Sequence, residues 1–366
     1  MKKLSTALFC GIFIASLFGC VVDVVQPVST PLVVGTVQPE IMPTLNPNST
    51  TVPVTWTDLN LSGRLVYSTV SSEGDTFTSK ICTLDLTTGE IKTIFTVIGT
   101  AWIYYLSAAP DAQQVVMSYT PASGANTELY SLSLDGVTAP QRLIDAPTIY
   151  NRYIQAEWSP NGSSIYFVYY NPQSQTSDQR FPNYEVFRMT YPNGQPEKIL
   201  EHAWWLRVSP DSSRIVYVSF DPVTGVNQLF VANADGSNSQ EVVLDGPLAS
   251  EIIDAPIFSP DGQSILFSAA SPVQAHQLNW LERLMGVQIA SAHNVPSDWW
   301  SVPLTGGTPT RLTYLQTIKL FASVAPDKKH IASLSGNGIF VMDVDGSNLT
   351  QLLNDPNVSS TLNWLP

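Results

Sequence analysis

The chain has 366 residues, with 17 Lys and Arg against 30 Asp and Glu, a formal net charge of −13. That length admits two ordinary domains or one large ring of β repeats. The acidic surface repels polyanions, which excludes nucleic acid as a partner and disfavours adsorption to anionic lipid.

At the start, Lys2 and Lys3 supply a positive region and Leu4 to Phe18 an apolar stretch, followed by Gly19 and Cys20. Residues 1–20 read as a secretory signal, too short and wrongly flanked for a transmembrane helix. Leu17-Phe18-Gly19-Cys20 resembles a bacterial lipobox, in which the cysteine is lipidated and becomes the mature N-terminus. Cys20 is then the lipidation site, and the protein is an extracytoplasmic lipoprotein of the bacterial cell envelope. The alternative is a secreted protein with an incidental cysteine. Removing Lys2 and Lys3 with the signal leaves 15 basic against 30 acidic residues, a net of −15. Attachment to a membrane must therefore come from the lipid, at roughly 0.8 kcal/mol per buried methylene. Cleavage also leaves only Cys20 and Cys82, so a lipidated Cys20 permits no intramolecular disulfide. Cys82, in the strand-like run Lys80-Ile81-Cys82-Thr83-Leu84, reads as a small core residue.

Residues 21–56 are rich in Val, Thr, Pro and Ser, with prolines at 27, 31, 39, 43, 47 and 53. No helical or alternating pattern survives that spacing, and a disordered, semi-extended tether is expected. At roughly 3.1 Å per residue in polyproline II it reaches on the order of 100 Å. A short strand docked on the following domain is the alternative.

From residue 57 onward a short phrase returns five times: Ala109-Pro110-Asp111, Ser159-Pro160-Asn161, Ser209-Pro210-Asp211, Ser259-Pro260-Asp261 and Ala325-Pro326-Asp327. The prolines lie 50, 50, 50 and 66 residues apart, a period that marks a repeat architecture. Apolar residues two before each proline (Ala108, Trp158, Val208, Phe258, Val324), and at most positions four before it, predict a strand with one face buried. A tight turn and a second strand follow, as in Ile165 to Tyr169. A third strand leads to Asp135-Gly136, Asp235-Gly236 or Asp345-Gly346, strong hairpin signals, and then to a shorter polar fourth strand such as Gln141 to Ile144. Four antiparallel strands per unit describe a propeller blade.

The first unit starts at Gly63 to Ser68, which matches a second strand, and Thr361 to Pro366 matches a first strand with nothing after it. The C-terminal strand is therefore predicted to complete the first blade and close a ring of six, which removes the open sheet edges. The expected fold is all-β, a six-bladed β-propeller over residues 57–366.

The Trp/Phe-Ser-Pro-Asp-Gly phrase and the later Asp-Gly-Ser-Asn hairpin resemble the TolB-type propeller, whose repeats are called WD40-like or PD40. The fullest matches are Phe258 to Gly262, Trp158 to Gly162, Ala234 to Asn238 and Val344 to Asn348. Blades 2 and 6 depart from the phrase by losing its Ser and Gly. A separate N-terminal α/β domain, as in the TolB protein, has no room here.

The chain contains no Gly-x-Ser-x-Gly elbow, His-Glu-x-x-His, paired Cys-x-x-Cys or EF-hand loop. Histidines 202, 276, 293 and 330 are scattered, so no catalytic residue, metal ligand or cofactor is assigned. Asp and Asn in the Pro-Asp turns are expected to cap their own turns.

Regularity breaks in blade 5, where an insertion over residues 274–298 carries Leu278, Leu281, Leu284, Met285 and Ile289 at helical spacing. A short amphipathic helix is expected, packed on the propeller as a cap or offered to a partner. A smaller elaboration spans residues 171–183, and both join second to third strands, hence emerge on one face. The candidate binding residues on and around that face are Arg152, Tyr153, Trp204, Trp205, Asp254, Trp280, Trp299, Trp300 and Lys319.

The resemblance implies a non-enzymatic binding or scaffold module, because TolB-type propellers mediate protein contacts in the envelope. The expected partner is an envelope protein or a peptidoglycan or polysaccharide component, met by a monomer held at the membrane through its lipid anchor. The alternative is a propeller hydrolase or lyase acting on polysaccharide or peptide in the axial mouth, as in oligogalacturonate-lyase-like propellers. A weaker third reading is a sensor with the blade 5 insertion as lid.

Overall fold

A computed structural model describes residues 56–366, apart from residues 122–125, 145–151, 172–175, 177–178, 180–182, 224, 247, 249–252 and 271–294. The signal, the tether and most of the blade 5 insertion, including its expected helix and Trp280, lie outside the described residues.

The described strands pair into six four-stranded sheets arranged as a six-bladed propeller. Blades 2 to 6 each take four consecutive strands, with inner strands Trp102–Ala108, Arg152–Trp158, Ala203–Val208, Ile253–Phe258 and Phe321–Val324. Blade 1 takes its inner strand from the C-terminal segment Val358–Leu365, which pairs antiparallel with Arg64–Glu73. Arg64 faces Leu365 and Tyr67 faces Leu362 in that register, and Trp364 Nε1 donates to the Ser62 carbonyl at 3.0 Å. The predicted closure of the ring is thus present.

Second strands are apolar without alternation, as in Ile165-Tyr166-Phe167-Val168 and Ile215-Val216-Tyr217-Val218, all buried. The reason is architectural: each blade lies between two neighbours, so both faces of its second strand are covered. Cores accordingly sit between blades. Val66, Ile81, Leu106 and Met117 pack at the blade 1/2 seam, and Val168, Val186, Leu206 and Ile215 at the blade 3/4 seam. Each such side chain contributes about 1.5–3 kcal/mol by burial. Cys82 is a buried free thiol in the core that spans blades 4, 5, 6 and 1.

The recurring Pro-Asp phrase builds the turn from first to second strand. In blade 3 the Gly162 amide donates to the Ser159 carbonyl at 2.8 Å, with Pro160 in the position whose fixed φ suits it. The next residue must then turn left-handed, and Gly162 and Gly262 do so at φ 72° and 68°. Ala112, Ser212 and Lys328 hold the same conformation at φ 58°, 62° and 60° without glycine's freedom.

Asp and Asn cap these turns as expected. The Ser209 hydroxyl and the Ser213 amide donate to Asp211 Oδ1 at 2.6 and 3.0 Å. With the Ser213 hydroxyl, these bonds hold the Asp211 carboxyl down to about 2. All five turns lie on one face of the disc, here the turn face. Inner strands begin, and second strands pass to third, on the opposite loop face.

Candidate functional site at the propeller axis

Inner strands meet at the axis, so residues at one offset from the repeat proline form rings. Five before it stand Tyr105, Gln155, Trp205, Ala255, Phe321 and Thr361, and these six converge around a residual cavity of about 20 Å³. That space holds about one water. Tyr105, Trp205 and Phe321 form an aromatic plug, with Tyr105 edge-on to Trp205 and Phe321 at centroid distances of 5.7 and 6.3 Å and Trp205 tilted against Phe321 at 5.4 Å. Burial pushes the Tyr105 phenol well above its ordinary value.

Bulges explain how these side chains reach the centre. The register of each inner strand of blades 2 to 5 shifts beside this position, and Gln155, Trp205 and Ala255 take φ of 55°, 52° and 46°. Backbone groups freed by the bulges are met from the neighbouring blade. Gln155 Oε1 accepts the Trp205 amide at 2.6 Å, and Thr361 Oγ1 accepts the Leu106 amide at 2.9 Å.

A second ring, three before the proline, comprises Ser107, Glu157, Arg207, Ile257, Ser323 and Asn363. Ser107 Oγ accepts the Trp158 amide at 3.0 Å, Ser323 Oγ the Trp364 amide at 3.0 Å, and Asn363 Oδ1 the Ala108 amide at 3.1 Å. Arg207 Nη1 donates to Glu157 Oε2 at 2.6 Å. Desolvation raises the Glu157 carboxyl, against the opposing pull of Arg207.

All of this ring but Ser107 floors a recess of about 290 Å³ on the turn face, walled by Val208, Phe258, Val324 and the prolines of four turns, with Lys328 at its rim. On the loop face the axis ends instead in an aromatic cluster at the blade 3/4 seam. Tyr170, Tyr184, Trp204 and Trp205 follow one another at centroid distances of 5.1, 5.3 and 5.6 Å, each ring tilted 37–41° from the last. Phe220 and His202 pack beside them, and the Arg152 charge bears on the Tyr184 phenol, which burial raises.

No family model matches the sequence, nor does any curated protein. Among solved structures, a putative TolB from Agrobacterium tumefaciens matches 84% of this chain and 100% of its own at 15% identity, with a TM-score of 0.54. TolB from Acinetobacter baumannii matches 83% of this chain and 67% of its own at 17% identity, with a TM-score of 0.55. The fold is the TolB-type six-bladed propeller. An oligogalacturonate lyase in complex with manganese is also similar, at 13% identity and a TM-score of 0.50, covering 79% of this chain and 78% of its own. At such identities the likeness establishes architecture and no activity.

Within the TolB-type ring, the residues singled out in the sequence separate into distinct places. Arg152 and Trp204 are half-buried on the loop face, and Trp205 continues from them into the plug. Asp254 is fully buried near the axis, where its charge helps raise the Tyr105 phenol. Lys319 is half-buried at the approach to blade 6, with φ 60°. Tyr153 instead packs between blades against Phe167, 5.1 Å away.

Trp299 is fully buried at the blade 5/6 seam, its Nε1 donating to Ser333 Oγ at 2.7 Å. Trp300 is buried beneath the Arg311 guanidinium, which pairs with the fully buried Asp298 at 2.6 Å. His202 lies on the loop face and His330 on the turn face, bonded to Asp327 at 2.6 Å. His276 and His293 lie outside the described residues, among which no three His, Cys, Asp or Glu side chains gather in a metal-binding group.

Sequence reasoning missed the turn-face recess and the tyrosines that extend Trp204. Counting back from each proline would have exposed both rings, since the offsets five and three give every member.

Proposed function

We propose that this chain is a lipid-anchored, extracytoplasmic propeller that binds an envelope protein or another envelope component through its loop face. The observation that carries this reading is the half-buried run of Tyr170, Tyr184 and Trp204 beside Arg152, which keeps part of its surface open to solvent. Tyr, Trp and Arg on a rigid base dominate binding energy at protein interfaces, since they bring large area at small entropic cost. A plugged axis adds to the reading by giving this face a solid floor.

Capture of envelope partners on the immobilised chain tests it. Arg152→Glu and Trp204→Ala should each weaken capture by about 30-fold, on the order of 2 kcal/mol for a hot-spot side chain. Lys329→Glu, exposed on the turn face and outside the recess, should leave capture unchanged. Undiminished capture by both loop-face variants would refute the reading. Deleting residues 274–294, which spares the strand Ser297–Pro303 and its buried Asp298, asks the same of the insertion, and on the lipobox reading Cys20→Ser should release the protein from membranes.

A further inference from the structure

The turn-face recess is a second feature of the axis, on the side away from the surface assigned to the partner. Its walls are apolar, supplied by Val208, Phe258, Val324 and turn prolines, and its polar groups converge on the floor. The acceptors there are spent. Glu157 takes a bond from Arg207 at 2.6 Å and one from Ser107, while Ser323 Oγ and Asn363 Oδ1 take backbone amides of the next blade.

Rim carboxylates are turned back as well. Asp211 accepts from Ser209 and Ser213, Asp261 from Ser259 and Gln263, and Asp327 from Lys329 and His330. The donors, in contrast, remain available. Arg207 spends Nη1 on Glu157, and its other N–H groups have no protein acceptor among the described residues. Neither do the Ser323 hydroxyl proton and the exposed Lys328 ammonium.

A recess of about 290 Å³ with apolar walls and unmatched donors at one end selects a ligand that is apolar along its length and carries acceptors at its head. Among the residues that line the recess two cations, Arg207 and Lys328, stand against one carboxylate, Glu157, while the rim carboxylates are held by their own turns. The lining therefore favours a negatively charged head, and a carboxylate suits the planar guanidinium. We propose that the turn-face mouth binds an apolar carboxylate, with its head between Arg207 and Lys328 and its hydrocarbon against Val208, Phe258 and Val324. An acyl chain and the hydrophobic C-terminal residue of a peptide share this chemistry.

Calorimetric titration of the full chain with hexanoate, hexylamine, N-acetyl-leucine and N-acetyl-leucinamide tests the site. Hexanoate or N-acetyl-leucine should bind, and the amine and the amide should bind at least about tenfold more weakly. Tighter binding of hexanoate assigns the site to acyl chains, and tighter binding of N-acetyl-leucine to peptide termini. Lys328→Glu, at an exposed position, should weaken the carboxylate about tenfold, or ~1.4 kcal/mol. Glu157→Gln should tighten it by releasing Arg207. Equal binding of hexanoate and hexylamine, affinity unchanged in Lys328→Glu, or no binding of either carboxylate at about 10 mM would overturn the proposal. The loop-face variants are tested separately, so each reading fails on its own evidence.

Discussion

Replacing Arg207 by Met would strand Glu157, and the size of the loss follows from the geometry. The pair lies 2.6 Å apart with side chains only 16% and 14% exposed. Exposed pairs contribute about 1 kcal/mol or less, and breaking a buried one costs about 3–5 kcal/mol, so ~3 kcal/mol is expected for Arg207→Met. For a domain of this size that corresponds to a fall of roughly 6 °C in Tm.

Its pH dependence carries the sharper prediction. Desolvation holds the folded Glu157 carboxyl above its unfolded value even with Arg207 present, and removing Arg207 raises it further. The folded state then retains a proton that the unfolded state has released. Stability therefore falls as pH rises from about 4.3, the unfolded carboxylate value, through the folded pKa. Arg207→Met should be most damaging near neutral pH and much less so near pH 4, read by thermal melts monitored through tryptophan fluorescence. Glu157→Gln/Arg207→Met, which removes both charges, should lie within about 1 kcal/mol of the parent. An equal loss at both pH values, or a double variant as weak as the single one, would refute the desolvation argument.

Removing the closing strand Val358–Leu365 strips Val358, Leu362, Trp364 and Leu365 from the core and exposes the edge of Arg64–Glu73. At about 1.5–3 kcal/mol per side chain this loss rivals the whole stability of a domain, and the truncated chain should aggregate, as size-exclusion chromatography would show. Gly338→Ala places a Cβ 1.9 Å from the Leu353 carbonyl oxygen at φ 121°, whereas Gly74→Ala at φ 56° meets open space. The first should destabilise the fold severely and the second by only about 1 kcal/mol, in parallel melts. Trp299→Ala, at a fully buried position, should cost about 3–5 kcal/mol, and Trp299→Phe about 1–3 kcal/mol through the unpaired Ser333 hydroxyl, both read by urea titration.

Much of this architecture was legible because the turn chemistry is repeated. Pro160 with Gly162, and Asp235 with Gly236, mark where strands reverse whatever packs beside them, so strand order and ring closure followed from local rules. The site was less legible, because its residues vary where the turns do not. Trp299 and Trp204 read alike as aromatics near a strand end, yet one is fully buried between blades and the other only half-buried, a difference set by the neighbouring blade. The recess escaped for a related reason: it is built from Val208, Phe258 and Val324, which read in isolation as ordinary core residues of separate repeats.

Repeats that share a turn could in principle change places around a ring. The second axial ring forbids it, because its members are matched to particular neighbours. Glu157 of blade 3 needs the arginine of blade 4, and Asn363 of blade 1 clasps the Leu106 carbonyl and the Ala108 amide of blade 2. Moving a blade, or borrowing one from a second chain, would bury Glu157 or Arg207 unpaired, at a cost of several kcal/mol. The order of the blades is thus written at the axis, and a chain whose repeats look interchangeable along its length has one way to close.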